Sequence, residues 1–291
     1  MGEKSDKRNT NSKGLSLSAR RVIAYVVLIF ICFMCLFWFY VLFINSTRSQ
    51  GDLARGFSIF PGSNTVNNWK NMLHFPTISM TKGMINSVIV STLTAVVCVY
   101  FSAMTAYAIH VYDFKLKNFM FTFILAIMMI PSQVTVLGFL ELVRGLKLED
   151  NFIPLIVPAI ASPVVFFYMK QYMESALSVS LVEAARIDGS SEFRTFNTIV
   201  LPIMKPAIAV QAIFSFVQSW NNYFTPSLIL HDNKMKTLPI LIAQLRSADW
   251  REKDLGVVYM AISFSIIPVI IVYLILSKNI VQGLAVGAVK E

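Results

Sequence analysis

The segment Ser180-Leu-Val-Glu-Ala-Ala-Arg-Ile-Asp-Gly189 lies between long apolar stretches, within the longest polar interruption on the basic side of the predicted membrane spans. Ser180 and Glu183 stand three residues apart, the spacing of a capping box, in which each side chain satisfies a backbone N–H of the first helical turn. Gly189 can adopt the left-handed conformation that ends such a helix. The sequence therefore predicts a short helix with both ends marked. Ala184-Ala185 gives it a face with little bulk, which can lie close against another surface.

The composition of the whole chain indicates an integral membrane protein. Of its 291 residues 56% are hydrophobic and only 14% are charged, with a mean hydropathy of +0.63, whereas soluble chains are about a quarter charged. The net charge of +9 raises the possibility of nucleic-acid binding. We reject it because the basic residues lie in short loops and in the tail, as orientation in a bilayer requires.

The apolar stretches predict an all-α protein with six transmembrane helices. Their positions are 22–44, 84–111, 119–143, 152–172, 206–223 and 255–276. An even number of spans places both termini on one side. Six basic residues precede the first span and only Arg48 and Arg55 follow it closely, so we expect that side to be the cytoplasm.

This topology divides the chain into five parts. They are a cytoplasmic N-terminal tail (1–21), the first transmembrane helix (22–44), an outer loop with short interfacial helices (45–83), a five-helix core (84–276) that contains a cytoplasmic loop (178–206), and a cytoplasmic C-terminal tail (277–291).

The sequence lacks several signatures of catalysis and of nucleotide binding. No Gly-x-x-x-x-Gly-Lys-Ser/Thr phosphate loop occurs, so we expect no ATP site of that kind. His74, His110 and His231 are far apart, and Cys32-Phe-Met-Cys35 has no nearby histidine or carboxylate ligand. We therefore predict no catalytic residue, no metal site and no cofactor in this chain.

The predicted spans are also nearly free of ionisable residues, with Glu141 near the outer end of the third. A proton-coupled or ion-coupled transporter keeps a buried ionisable group on its path. If this chain transports a solute, the energy is therefore expected to come from another protein.

The polar segment resembles the EAA loop of the permeases of ABC importers, through Glu183-Ala184-Ala185, Asp188-Gly189, Leu201-Pro202 and Pro206. In that family the loop is a coupling helix that docks on a separate ATPase subunit. The resemblance implies the fold of a type I importer permease, with coupling residues Ser180, Glu183, Ala184, Ala185, Asp188, Gly189 and Pro202. The alternative is an ordinary amphipathic connector on the membrane surface.

Three further segments resemble the second, smaller permease subunit of maltose-type carbohydrate importers: Met129–Val136, Gln218–Tyr223 and Gln282–Lys290. That resemblance implies a heterodimer with a second permease in the bacterial cytoplasmic membrane. It also implies two ATPase subunits that bind ATP and Mg²⁺, and an extracytoplasmic sugar-binding protein. In this subfamily the C-terminal tail reaches the ATPase interface, which assigns that role to Gln282, Gly287 and Lys290.

A path for sugars needs amides that match hydroxyl groups and flat aromatic faces. The candidates are Asn86, Gln133, Gln218, Trp220, Asn221, Asn222 and Tyr223. The structural alternative is that the aromatic residues form an interfacial belt and that the amides join neighbouring helices.

The sequence as a whole predicts one half of the pore of a carbohydrate importer. Two alternatives stay open. One is a permease for a different solute, such as a polyamine or phosphate, and the other is a membrane scaffold that transports nothing.

Overall fold

The structure is a computed structural model that describes residues 17–75, 78–247 and 254–288, and no strand occurs among them. The helices are α1 (Leu17–Ser46), α2 (Gln50–Ala54), α3 (Thr65–Leu73), α4 (Met80–Val111), α5 (Lys117–Ile127), α6 (Ser132–Gly145), α7 (Ile153–Ile156), a 3-10 helix (Val157–Ala161), α8 (Pro163–Ala176), α9 (Val179–Ile187), α10 (Glu192–Thr195), a π-helical segment (Phe196–Val200), α11 (Leu201–Ile203), α12 (Lys205–Trp220), α13 (Phe224–Ile229), α14 (Leu238–Ser247) and α15 (Leu255–Ala288). The all-α prediction is confirmed.

Within the described residues, four stretches are long and apolar enough to cross a membrane. They are Arg20–Ser46, Met80–Val111, Ile153–Ala176 and Leu255–Lys278. A fifth candidate is Glu192–Ile203 together with α12, but the two parts are bent by 82°. Because of that bend, we take α12 as the membrane segment and Glu192–Ile203 as part of the loop that precedes it.

The third predicted span, 119–143, consists of two separate helices, α5 and α6, which meet at Pro131. Proline has no N–H to donate and disfavours the helical conformation of the residue before it. With 11 and 14 residues, neither helix alone has the about 20 residues needed to span the hydrocarbon core. The count of six spans therefore stays a prediction, which requires that α5 and α6 cross the membrane together.

Three other predicted boundaries differ from the structure. The first helix begins at Leu17 rather than at residue 22, and α4 begins at Met80, inside the predicted outer loop. The last helix continues through most of the predicted C-terminal tail and ends at Ala288. The apolar stretches mark only the part of each helix that suits the hydrocarbon core. A helix continues beyond that part wherever its polar residues also permit it.

The helix α4 joins the two main apolar clusters of the protein. Its C-terminal half packs with α8 and with the chain around α9, and its N-terminal half packs with α3, α12, α14 and α15. Small side chains along α4 are buried, among them Ser91, Ala95, Ser102, Ala103 and Ala106. Such residues let helices approach closely in a lipid environment. In contrast, α1 exposes nearly all of its apolar side chains and packs mainly on α15.

A buried arginine, Arg48, fixes the chain that follows α1 by hydrogen bonds. The Arg48 Nη2 donates to the carbonyl oxygens of Asp52 (2.5 Å) and Gly56 (2.9 Å). The buried Asn68 Nδ2 donates to the carbonyl oxygens of Ser46 (2.8 Å) and Arg48 (2.9 Å). The helix α15 approaches this network through Gly256, which has no side chain to obstruct the contact.

Replacing Gly256 with alanine should destabilise the protein. The new methyl group would lie 2.5 Å from the Arg48 carbonyl oxygen and 2.6 Å from Asn68 Nδ2. Because hydrogen bonds hold both groups, α15 has to move, and overpacking of this kind costs about 1–3 kcal/mol. The measurement is the Tm of the protein in detergent.

Gly138→Ala is the matched control, because no described atom outside the backbone of its own helix lies within 4 Å of the added Cβ. Alanine also favours a helix over glycine by about 1 kcal/mol. Only Gly256→Ala should therefore lower the Tm. Equal shifts for both variants would contradict the close approach of α15.

Candidate functional site

The helix α9 begins two residues earlier than the capping-box prediction requires. Its N-cap is Ser178, and Ser180 is the second residue inside the helix. The two serine hydroxyl oxygens lie 2.7 Å apart and share a hydrogen bond, and the Ser178 side chain makes no capping bond to the backbone. The predicted capping box of Ser180 and Glu183 is therefore wrong.

A pair of buried residues explains where α9 starts. Leu177 precedes the N-cap and Val182 is the fourth residue of the helix, and both are buried in the cluster around the C-terminal half of α4. These are the two positions of a hydrophobic staple, which sets the angle at which a chain enters a helix. Tertiary burial thus selects Ser178 over Ser180 as the cap.

The C-terminal end of α9 follows the sequence prediction. Gly189 has a φ of +78°, the left-handed region in which glycine is favoured. Its N–H donates to the Arg186 carbonyl (3.0 Å), and the Ser190 N–H donates to the Ala185 carbonyl (2.9 Å). This pair of bonds is a Schellman motif, so the prediction that Gly189 ends the helix is confirmed.

The outward surface of α9 carries exposed apolar side chains among polar ones. Leu181, Ala184 and Ile187 are exposed on the helix, and Phe193 is exposed just after it; we call these four residues the docking face. Ile187 is 86% exposed and Phe193 is 68% exposed. Of the two alanines, only Ala184 points outward, because Ala185 is buried against the protein's own helices.

The other predicted coupling residues, apart from the buried Ala185, also lie at the surface. Ser180, Glu183, Asp188, Gly189 and Pro202 are all exposed. No described element covers this surface, so it is available to another molecule.

A carboxylate behind α9 joins the helix to neighbouring elements. Arg186 Nε donates to Glu192 Oε1 (2.6 Å), and the Tyr107 hydroxyl donates to Glu192 Oε2 (2.8 Å). The pKa of Glu192 is lowered to about 2, first because Arg186 donates to the carboxylate and then because the Tyr112 and Tyr107 hydroxyls do. The same interaction with Glu192 raises the pKa of Arg186.

A cleft of about 870 Å³ lies beside α4 and α12. The break between α5 and α6 at Pro131 and the 3-10 helix at Pro158 form its other walls. Its polar lining consists of hydroxyl and amide side chains together with a thiol: Thr94, Cys98, Thr135, Ser162, Ser215, Gln218, Ser219 and Asn222. None of the described residues that line the cleft is charged, so it presents neutral hydrogen-bonding groups among apolar ones.

The structure separates the predicted path residues. Gln218 and Asn222 line the large cleft. Trp220 is buried and stacks on Phe216 with ring centroids 5.6 Å apart, so it is a core residue. Asn221 and Tyr223 instead line a pocket of about 520 Å³ on the other side of α12.

Asn86 lies in neither group. Its Nδ2 donates to the carbonyl oxygens of Lys234 and Lys236, at 2.9 Å each, and thereby fixes the loop before α14. Three further predicted residues lie in helices, Gln133 in α6 and Gln282 and Gly287 in α15, but the structure does not describe what surrounds them. Lys290 lies outside the described residues.

The predicted path omits Ser215 and Ser219, two residues of α12 that line the cleft. Ser215, Gln218, Ser219 and Asn222 follow the spacing i, i+3, i+4 and i+7, which places them on one face of a helix. That spacing was available in the sequence. It separates Asn222 from its neighbour Asn221, which a search for consecutive amides and aromatics cannot do.

Broken helices around a neutral polar cleft, with an exposed apolar helix between membrane segments, define a membrane transport subunit. Residues 101–286 match the family described as binding-protein-dependent transport system inner membrane component. The chain belongs to this family, and it is accordingly a multi-pass membrane protein.

Individual relatives cover nearly the whole chain. The arabinooligosaccharide transport permease AraQ of Bacillus subtilis (strain 168) is 34% identical over 94% of this chain and 97% of AraQ. The sn-glycerol-3-phosphate transport permease UgpE of Brucella abortus (strain 2308) is 29% identical over 90% of this chain and 95% of UgpE. The melibiose/raffinose/stachyose import permease MelC of Bacillus subtilis (strain 168) is 29% identical over 87% of this chain and 90% of MelC.

The fold also matches a solved structure. A chain in the crystal structure of a bacterial ABC transporter involved in the import of the acidic polysaccharide alginate superposes with a TM-score of 0.78. The match covers 91% of this chain and 98% of the other, at 23% identity. This likeness supports the importer-permease fold.

The interactions of Glu192 predict a specific pH dependence. Its folded pKa of about 2 lies below the ordinary 4.5, so its contribution to stability is complete above about pH 4.5 and is lost as the pH falls through 2. Glu192→Gln should lower the Tm near neutral pH, and the difference from the wild type should shrink in acid. Because the Glu192 side chain is 44% exposed, solvent screening keeps the effect within about 1 kcal/mol. A Tm difference that does not vary with pH would contradict this assignment.

Proposed function

We propose that this chain is a transmembrane permease subunit of an ATP-driven importer for a carbohydrate, an oligosaccharide or a derivative of one. It forms half of the translocation path and couples to a separate ATPase through α9. The observation that carries the proposal is the docking face, with Ile187 86% exposed on a loop outside the membrane segments. An amphipathic connector lying on its own protein or on the bilayer would direct such a residue inward.

The ATPase is expected to bind the docking face through apolar contact. Full burial of one large apolar side chain contributes about 1.5–3 kcal/mol, and the docking face has three such side chains, Leu181, Ile187 and Phe193. Ser180, Glu183, Asp188 and Pro202 are exposed as well, and they can add contacts to the ATPase beside the apolar ones. ATP and Mg²⁺ bind on two such ATPase subunits, and this chain itself holds no cofactor.

A second permease subunit is expected beside the cleft. The helix α6 and the break between α5 and α6 expose large apolar side chains near it, including Met129 (83%), Val134 (70%) and Leu137 (75%). Lipid or another subunit can cover such a surface, but lipid cannot supply the polar groups that a closed path for sugars needs. We therefore assign this side of the cleft to a partner permease and the exposed side of α1 to lipid.

The expected orientation places α9 and both termini in the cytoplasm, with the binding protein on the opposite face. Closure of the ATPase pair on ATP would move α9 together with the helices packed behind it. The path would then open alternately to either side of the membrane through a rigid-body change.

The lining of the cleft favours an uncharged substrate. Amide and hydroxyl groups such as those of Gln218, Ser219 and Asn222 match sugar hydroxyls, which both donate and accept hydrogen bonds. A polyamine would need carboxylates on its path and phosphate would need lysine or arginine, whereas the described lining residues carry no charge. AraQ is named for arabinooligosaccharides and MelC for melibiose, raffinose and stachyose, which supports this choice over the phosphate ester for which UgpE is named.

The docking face gives a direct test against a membrane scaffold. Ile187→Asp should prevent co-purification of the ATPase in detergent, because a buried unpaired charge replaces an apolar contact. Leu146→Asp is the matched control, since Leu146 is also an exposed apolar residue (60%) but lies between α6 and α7. A scaffold would bring down no ATPase with any variant.

Two neighbouring asparagines test the path. Asn222→Ala should lower uptake of a labelled neutral oligosaccharide about tenfold or more, because an unmatched sugar hydroxyl costs about 1–3 kcal/mol. Asn221→Ala should leave uptake near the wild-type rate, because Asn221 faces the other side of α12. Uptake of a labelled polyamine or of phosphate, with none of the oligosaccharide, would contradict the proposed substrate class.

A further inference from the structure

The side of α9 opposite the docking face is attached to the end of α4 by four side chains, which we call the Glu192 cluster: Glu192, Arg186, Tyr107 and Tyr112. The two carboxylate oxygens of Glu192 accept from different elements. Oε1 accepts from Arg186 in α9 (2.6 Å), and Oε2 accepts from Tyr107 in α4 (2.8 Å). The Arg186 guanidinium carbon also lies 5.3 Å from the centre of the Tyr112 ring, just after α4, within the range of a cation–π interaction.

Apolar contacts also attach this region to α4, through Val182 in the first turn of α9 and through Phe196 beyond α10. Phe196 is 2% exposed, and its ring lies 5.6 Å from the rings of both Tyr100 and Tyr107. Tyr100 also donates to Asn197 Oδ1 (3.3 Å). This packing attaches the chain after α10 to α4, and Arg186 in the last turn of α9 adds a polar link to the same assembly.

We propose that Glu192 is a positioning residue that makes α9 and α4 move as one body when the ATPase acts on the docking face. The proposal rests on the proposed function. The helix α4 is the relevant partner because Thr94 and Cys98 on the same helix line the cleft. Tyr107 is 13 residues beyond Thr94, about 20 Å along a helix, so one rigid element reaches from the Glu192 cluster to the path.

A carboxylate suits this position better than other polar groups. Both of its oxygens are acceptors, so one side chain can bind donors from two helices at once. The bonds are charge-assisted and therefore stronger than neutral ones. Glutamine at the same position keeps the shape but loses the negative charge, so its oxygen accepts more weakly from Arg186 and its amide group can reach the Tyr107 hydroxyl only as a donor.

The experiment uses the assembled complex with its partner permease, ATPase and binding protein in proteoliposomes. The readout is the amount of labelled neutral oligosaccharide imported per ATP hydrolysed. Glu192→Gln and Tyr107→Phe should each lower this ratio about five- to tenfold, as expected for loss of a coupling interaction. The amount of co-purified ATPase and its basal hydrolysis should stay at wild-type levels, because the docking face is unchanged.

The double variant separates a shared link from general destabilisation. If Glu192 and Tyr107 act through one hydrogen bond, the double variant should be no worse than the worse single variant. Glu149→Gln is the matched control, because Glu149 forms a comparable ion pair with Arg144 (3.1 Å) and is 42% exposed, against 44% for Glu192. It should leave the ratio unchanged.

Failure of the proposed function and failure of the role of Glu192 give different results in this experiment. If the wild-type complex imports no carbohydrate, the proposed function fails. If the wild type imports carbohydrate and both single variants keep its ratio, the role of Glu192 is overturned. Additive losses, or loss of the ATPase from the complex, would show a purely structural role and would also overturn the proposal.

Discussion

Two buried side chains, Leu177 and Val182, hold the first turn of α9 against the apolar cluster around the C-terminal half of α4. They fix the rotation of the helix as well as its starting point. Since successive helical residues are about 100° apart, burying Val182 and Ala185 turns Leu181, Ala184 and Ile187 outward. The docking face thus follows from which residues the protein buries, and the Glu-Ala-Ala triplet alone does not determine it.

The energetic terms around α9 differ in size and in role. Apolar contact at the docking face offers the larger free energy, at about 1.5–3 kcal/mol for each fully buried large side chain. The Arg186–Glu192 ion pair is partly exposed, so solvent screens it and it contributes less to stability. The ion pair matters for what it connects, because through Glu192 it joins α9 to α4, the helix that also lines the cleft. The cleft itself supplies neutral groups suited to binding a sugar.

Local patterns in the sequence were sufficient to predict some elements of this structure. The apolar stretches identified the four long apolar helices that the described residues contain, and Gly189 marked the end of α9, because a left-handed residue is required there. The start of α9 was predicted at the wrong serine, since burial of Leu177 and Val182 decides between the two. The partners of Asn86 lie 148 and 150 residues away, so no local pattern could reveal its role. Asn222 and Asn221 face opposite sides of α12, a distinction that helical spacing could have supplied.

The central claim is that α9 becomes buried against a separate ATPase. It is tested most directly by placing a cysteine at Ile187, after replacing Cys32, Cys35 and Cys98 with serine, and measuring its rate of maleimide labelling in membrane vesicles. Labelling should be rapid when the ATPase is stripped away, and the introduced cysteine should be strongly protected when the ATPase is restored. Equal labelling rates with and without the ATPase would contradict it.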